Sequence, residues 1–395
     1  MKKKLVSDLN LQNKRVLMRV DFNVPLKEGE VTDDTRIQAA LPTIKYIIEQ
    51  GASLILISHL GRPKGKVNID YSLAPVALHL SKLVDTKVSF INKTIGDEVK
   101  EQVKKLPSGE ILILENLRFD SREKQNDLQF AKELAQYADI YVNDAFGVSH
   151  RAHASVEALA KLMADKAVAG FLLEKEIDYA TKILENPNRP FTAILGGKKV
   201  SDKIKVIESL LLKVNNLIIG GGMANTFLKA MNYEVGKSFV EEDKVALAKE
   251  LLVAAQEKGV NIYLPVDVIT ATEFSESAEP HYFDVDNIPP NEMILDIGPA
   301  TCEEYSAILK ESKLVVWNGP MGVFELDPFS VGTRTLAAHL AVNDAEVVVG
   351  GGDSAAAVKQ FGYGDEMNHI STGGGSFLEM MEGKVLPGLA ALADK

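Results

Sequence analysis

Cysteine is almost absent: 395 residues contain one thiol, Cys302. One thiol cannot close an internal disulfide, so the chain is not a disulfide scaffold and fits a reducing, cytoplasmic setting. No run of about 18 apolar residues occurs, which leaves out a membrane-spanning helix. Positive charge is in deficit, with 44 Lys and Arg against 55 Asp and Glu, a formal net charge of −11. The surface as a whole therefore repels nucleic acid and anionic membranes, and any anionic ligand needs a local basic cluster. The basic start, MKKKLVSDLNLQNKRV, is interrupted by Asp8, Asn10 and Asn13 and does not read as a signal peptide. There is no low-complexity stretch and no short fixed repeat. No GxxxxGK[ST] occurs either, so a Walker-type loop is excluded.

What is present is a repeated strand–loop–helix grammar on a chain long enough for two domains. In the first half, Arg15–Val20, Ser53–Ser58, Glu110–Leu114 and Asp139–Val142 are short, nearly continuous apolar runs. Such runs suit strands buried on both faces of a parallel sheet. Between them, Ile37, Ala40, Leu41, Ile44, Ile47 and Ile48 recur at helical spacing, and Gly51 stands where a C-terminal cap belongs. Asn126 with Gln129, and Thr301 with Glu304, have the spacing of capping boxes. In the second half FTAIL, NNLII, KLVVW and AEVVV alternate with helices such as 202–214 and 242–258. The pattern predicts an α/β protein of two domains, each an open, mostly parallel sheet with helices on both faces. The amphipathic run GFLLEKEIDYATKILE, stopped by NPNRP, predicts a connecting helix over 171–185. We expect one domain over 1–170, with 376–395 packing back on it, and a second over 171–375.

Ligands in such sheets bind beyond the carboxyl ends of the strands. In the first half those ends carry charge: Arg19, Asp21 and Asn23; His59 and Arg62; Glu115, Asn116 and Arg118; Asn143 and Asp144; then Arg151 and His153. Arg36 opens the first helix. One loop arginine is usually a solvated charge, but four at equivalent strand ends predict a site for phosphate or carboxylate. In the second half the strands end in glycine: ILGGKK, IIGGGMA, WNGPMG, VVGGGDS and HISTGGGS. Glycine turns leading into helix N-termini suit phosphates. Lys199 and Lys203, four apart beside one such turn, are expected to share a helix face and bind anions. Gly350, Gly352 and Ala355 match the dinucleotide pattern GxGxxA. That rival lacks an acidic strand end about 20 residues on, and the pattern lies near the C-terminus rather than opening a unit.

These motifs are those of a known family. LMRVDFNVP, SHLGRP, LENLRF, VNDAFGVSHRAHAS, GFLLEKE, GGKKVSDK, GGGMANTFL, NGPMGVFE, GGGDSAAA and STGGGSF occur in order along essentially the whole chain. The sequence strongly resembles phosphoglycerate kinase. The resemblance implies reversible phosphoryl transfer between 1,3-bisphosphoglycerate with ADP and 3-phosphoglycerate with ATP, with Mg²⁺, by a hinge-bending monomer. Carried over residue by residue, it implies that Asp21, Asn23, Arg36, His59, Arg62, Arg118 and Arg151 hold the triose. Lys203 would bind nucleotide phosphates, Glu325 the ribose hydroxyls, and Gly351, Gly352, Asp353 and Ser354 the phosphate chain. Asp353 would ligate the magnesium. Arg36 and Lys199, with the helix N-termini after Gly352 and Gly374, would meet the phosphoryl group in flight. Lys198, Ile294 and Ala300 depart from residues common in the family. A nucleotide-binding module without turnover is the non-enzymatic alternative, and intact cations in both halves argue against it.

Overall fold

The computed structural model describes residues 2–395. Contacts divide the chain into two compact units, Met1–Asp178 with Val385–Lys395, and Tyr179–Lys384.

In the first unit the strands are β1 (Arg15–Arg19), β2 (Leu26–Lys27), β3 (Glu30–Val31), β4 (Ser53–Ile57), β5 (Val88–Ile91), β6 (Ile111–Leu114), β7 (Ile140–Asn143) and β8 (Ala167–Ala169). Six of them form one parallel sheet in the order β5-β6-β4-β1-β7-β8, while β2 and β3 pair as a small hairpin. The central strands are buried almost throughout, as their continuous apolar runs require. The chain leaves β1 toward β4 but leaves β7 toward β8. The order therefore reverses between β1 and β7, the position at which sheets of this kind bind ligands.

In the second unit the strands are β9 (Phe191–Leu195), β10 (Asn216–Ile219), β11 (Asn261–Tyr263), β12 (Asp267–Ala271), β13 (His281–Asp284), β14 (Met293–Ile297), β15 (Leu314–Asn318), β16 (Glu346–Gly350) and β17 (His369–Ile370). The parallel sheet runs β11-β10-β9-β15-β16-β17, with its reversal between β9 and β15. A three-stranded antiparallel sheet, β13-β12-β14, is added beside it. The apolar-run reading misses that sheet, because β13 alternates half-buried and exposed residues.

Boundaries shift for local reasons. The helix over 171–185 forms as Phe171–Glu185, but the division falls inside it. Its first turns bind the first unit: Asp144 Oδ1 accepts from Leu173 N at 3.0 Å, and Phe171 packs edge-on against Tyr46. Its last turns bind the second: the Tyr179 ring stacks on His369 with centroids 4.4 Å apart, and Lys182 pairs with Glu346. The return to the first unit begins at Val385 rather than 376, since Phe377 is buried against Gly350 in the second unit. The last residues then add backbone bonds in the first, Lys4 N to Ala393 O and Ala393 N to Ala167 O, both 2.9 Å.

Neither expected capping box forms. Asp127, not Asn126, caps helix Leu128–Ala135, its Oδ1 accepting from Phe130 N at 2.7 Å. Thr301 lies inside helix Pro299–Glu311, whose first amides, Ala300 N and Thr301 N, donate to the Asp267 carboxylate from a distant strand. A tertiary carboxylate has replaced the local cap.

Candidate active site: two ligand sites, one in each unit

The first site sits at the carboxyl edge around the β1/β7 reversal. Parallel register sets Arg19 opposite both Ile57 and Asn143, so residues following β1, β4 and β7 emerge together. Arg36 Nη1 donates to Asp21 Oδ2 at 3.1 Å and to Asn23 O at 3.2 Å. Asn23 Oδ1 accepts from Gly61 N at 2.8 Å, and Arg118 Nη1 donates to Gly61 O at 2.9 Å. Arg62 and Arg151 are exposed. Three buried atoms here, Asp21 Oδ1, Arg118 Nε and His153 Nδ1, have no hydrogen-bond partner. Such orphans are costly unless a ligand satisfies them.

The electrostatics show that the cations converge. Burial holds the His59 imidazole far below its ordinary range, and Arg19, Arg118 and Arg36 push it further. Burial lowers His153 to about 3, aided by Arg118, Arg19 and Arg151. Arg118 itself falls to about 10, chiefly by burial, with Arg19 and Arg62 contributing. Both histidines are therefore neutral, and the positive charge belongs to the arginines. The expected cluster of Asp21, Asn23, Arg36, His59, Arg62, Arg118 and Arg151 is thus brought to one edge. Arg19, Glu123 and Ser155 also belong there, although only Arg19 was visible as a strand-end charge. Ser155 rides a π-helical turn, Ala154–Ala158, that no periodicity announces.

The second site surrounds the β9/β15 reversal. Gly196 N donates to Asn318 O and Gly197 N to Pro320 O, both at 3.0 Å, locking the two glycine loops together. At Gly319, with φ +103°, a Cβ would sit 2.3 Å from Gly196 O and 2.8 Å from Lys203 Nζ, so only glycine fits. Lys203 Nζ donates to Asn318 O at 2.6 Å and also to Asn318 Oδ1. Burial lowers Lys203 to about 8, against the pull of Asp353 and Asp202. A cavity of about 760 Å³ opens beside these loops, lined in part by Gly197, Gly222, Phe239, Ile294, Glu325 and Asp353.

Not every predicted residue behaves as expected. Lys199 does not share a helix face with Lys203, because that helix begins only at Ile204 and Lys199 lies exposed in the loop before it. Ser354 does not offer its hydroxyl outward; it is fully buried and accepts from Gly319 N at 2.6 Å. Gly351 (φ +94°) and Gly374 (φ +40°) cap helices Gly352–Gln360 and Gly375–Met381. Asn318, which the glycine pattern did not single out, ties Lys203 to the loops and keeps a buried, unpartnered Nδ2. Lys198, a departure from the family, sets its Nζ 4.7 Å above the Phe239 ring. Among the described residues no group of three or more His, Cys, Asp or Glu could hold a metal ion by itself. One exposed carboxylate, Asp353, stands at the first turn of its helix beside the cavity. That suits Mg²⁺, which commonly takes one or two carboxylates and the oxygens of a phosphate ligand.

Comparison with known proteins identifies the family. A family model described as phosphoglycerate kinase matches residues 6–384. A solved phosphoglycerate kinase from Coxiella burnetii is 45% identical, with a TM-score of 0.89, covering 98% of this chain and 98% of that one. Another, from Pyrococcus horikoshii OT3, is 35% identical, with a TM-score of 0.86, covering 99% of this chain and 98% of that one. The chain belongs to the phosphoglycerate kinase family.

Proposed function

We infer that the first unit holds a phosphorylated triose and the second an adenine nucleotide, and that the chain moves a phosphoryl group between them. As a member of its family it is a phosphotransferase with a carboxyl acceptor, interconverting 1,3-bisphosphoglycerate and ADP with 3-phosphoglycerate and ATP. The observation that carries the site reading is the unlike chemistry of the two reversals: converging arginines with orphaned polar atoms at one, glycine loops with Lys203 and a cavity at the other.

The roles follow from the reaction. A carboxylate is already a nucleophile, so no general base is required. The barrier lies in bringing anions together and stabilising three oxygens in flight. Arg62, Arg118 and Arg151 grip the triose phosphate, while Asp21, Asn23 and His59 orient the rest of the triose. Lys203 and the amides at Gly351 and Gly352 receive nucleotide phosphates, and Glu325 the ribose. The buried hydroxyl of Ser354 holds the Gly319 loop in shape. Arg36 and Lys199 meet the transferring group, with the helix N-terminus after Gly374 adding positive potential. Asp353 is the residue that would hold Mg²⁺, which when bound supplies charge neutralisation on the phosphates.

Since the triose residues belong to one unit and the nucleotide residues to the other, turnover requires both. Helix Phe171–Glu185, anchored at its two ends in different units, is the proposed hinge. The reading extends to a monomer in a reducing, cytoplasmic compartment, which the single buried Cys302 fits. A coupled assay with 3-phosphoglycerate, ATP and Mg²⁺ tests the whole. We expect turnover; its absence, with ATP still bound, would leave the nucleotide-binding module instead.

A further inference from the structure

Beneath the arginine cluster lies a buried polar chain that the phosphoryl-transfer reading does not use. Arg19 ends the central strand β1 and is wholly inaccessible. Each nitrogen of its guanidinium is engaged: Nε donates to Ser155 Oγ at 2.9 Å, Nη1 to Val20 O, and Nη2 to His59 Nδ1 at 3.1 Å. Ser155 is held in turn by Glu123, also fully buried. Ser155 Oγ donates to Glu123 Oε1 at 2.6 Å, and Ser155 N donates to Oε2 at 2.9 Å. Tyr141 Oη fixes the same turn by donating to Ser155 O at 2.6 Å.

The chain has a direction. A guanidinium only donates, so the nitrogen it meets must accept. With Nδ1 of His59 as acceptor, the ring proton sits on Nε2. The opposite tautomer would turn Nδ1–H against an Arg19 N–H. Its one nearby carboxylate oxygen, Asp21 Oδ1, is 3.8 Å away, too far for a hydrogen bond. The imidazolium also requires Nδ1–H and is excluded by the same contact.

We propose that Arg19, anchored through Ser155 to Glu123, is a positioning residue that fixes His59 as the Nε2–H tautomer and so presents a hydrogen-bond donor to the triose. This rests on the reading of His59 as a triose ligand and adds what sets its donor. It also explains why Arg19, unlike Arg36, does not need to touch substrate. Each of its three nitrogens already donates inside the protein, one of them to the Ser155 hydroxyl that Glu123 holds.

The first test needs no activity. Long-range ¹H–¹⁵N correlation spectra of histidine-labelled protein, with His59 assigned by its loss in His59→Gln, report the tautomer directly. We expect Nε2–H from pH 5 to 8 with no titration; Nδ1–H or an imidazolium at pH 7 would overturn the proposal. The second test is kinetic. Arg19→Lys keeps the charge and loses the fork, so His59 should populate both tautomers. The KM for 3-phosphoglycerate should rise about threefold to tenfold, the scale of one lost hydrogen bond, with kcat within about twofold. Should that variant not fold, Ser155→Ala loosens the same guanidinium with a smaller change and should show the same split. In a His59→Gln background either change should add nothing further to KM. An undiminished added rise there would mean that Arg19 does not act through His59. If His59→Gln itself left KM unchanged, His59 would not be a triose ligand, whereas the tautomer spectrum would still read the Arg19 contact.

Discussion

Arg36 and Arg118 bring the same group to the first site under different constraints. Arg36 is about one-third exposed and leans on Asp21 through one nitrogen, so its remaining donors are free to follow a moving charge. Arg118 is tied to Gly61 O and keeps a buried Nε with no partner, the geometry of a fixed receptor. Arg36→Ala is therefore expected to lower kcat by roughly 10³, the scale of an arginine finger. Arg118→Ala should chiefly raise the KM for 3-phosphoglycerate. Steady-state kinetics of both variants separates the roles; equal kcat losses at unchanged KM would refute the division. Lys203 makes a second residue-scale prediction. Its free value near 8 means that above pH 8 the ammonium is partly lost before nucleotide arrives. Bound phosphate restores the proton, so binding takes one up, and ATP affinity should weaken about tenfold between pH 7 and 9. Calorimetry in buffers of different ionisation enthalpy reads both effects, and Lys203→Ala should abolish the uptake.

At the scale of elements, Asp144 links the end of β7 to the start of helix Phe171–Glu185. Its Oδ1 accepts from Leu173 N at 3.0 Å, while its Oδ2 is buried without a partner. Burial raises the carboxyl to about 7, against the hydrogen bonds from Leu173, Thr43 and Leu172. The folded state therefore holds this proton more tightly than the unfolded chain, whose value is near 3.8. The resulting stability is complete below the unfolded value and is lost as pH rises through about 7. Asp144→Asn keeps an acceptor and removes the titration. Its thermal midpoint should gain on the parent steadily between pH 4 and 7, then stay level. Asp144→Ala, which also removes the titration but leaves the amide uncapped, should lie about 1 kcal/mol below Asp144→Asn at every pH. Scanning calorimetry decides; parallel pH profiles for the parent and Asp144→Asn would show that the carboxyl does not titrate in this way.

For the whole molecule, the assignment of the two ligands to different units has one solution signature. A ligand that touches a single unit gains little from bringing the units together, whereas two ligands sharing one phosphoryl group gain much. Small-angle scattering should give a smaller radius of gyration with 3-phosphoglycerate and a non-hydrolysable ATP analogue together than with either alone. Equal compaction by nucleotide alone would show that the triose plays no part.

Much of this was legible in the residues. Buried parallel strands demand unbroken apolar runs, so Ser53–Ile57, Phe191–Leu195 and Glu346–Gly350 announce themselves, and the charged or glycine-rich loops behind them mark two unlike ligand edges. The family was evident in motifs from LMRVDFNVP to STGGGSF. Other features depended on partners remote in the chain. Asp267 caps a helix 33 positions away at Ala300, and Ser354 shapes the loop at Gly319. The Glu123–Ser155–Arg19–His59 chain joins loops that only the strand order brings together. Periodicity and local spacing report which face of an element is buried. Which donor meets which acceptor, and thus where a proton resides, is decided only when the sheet sets its strands side by side.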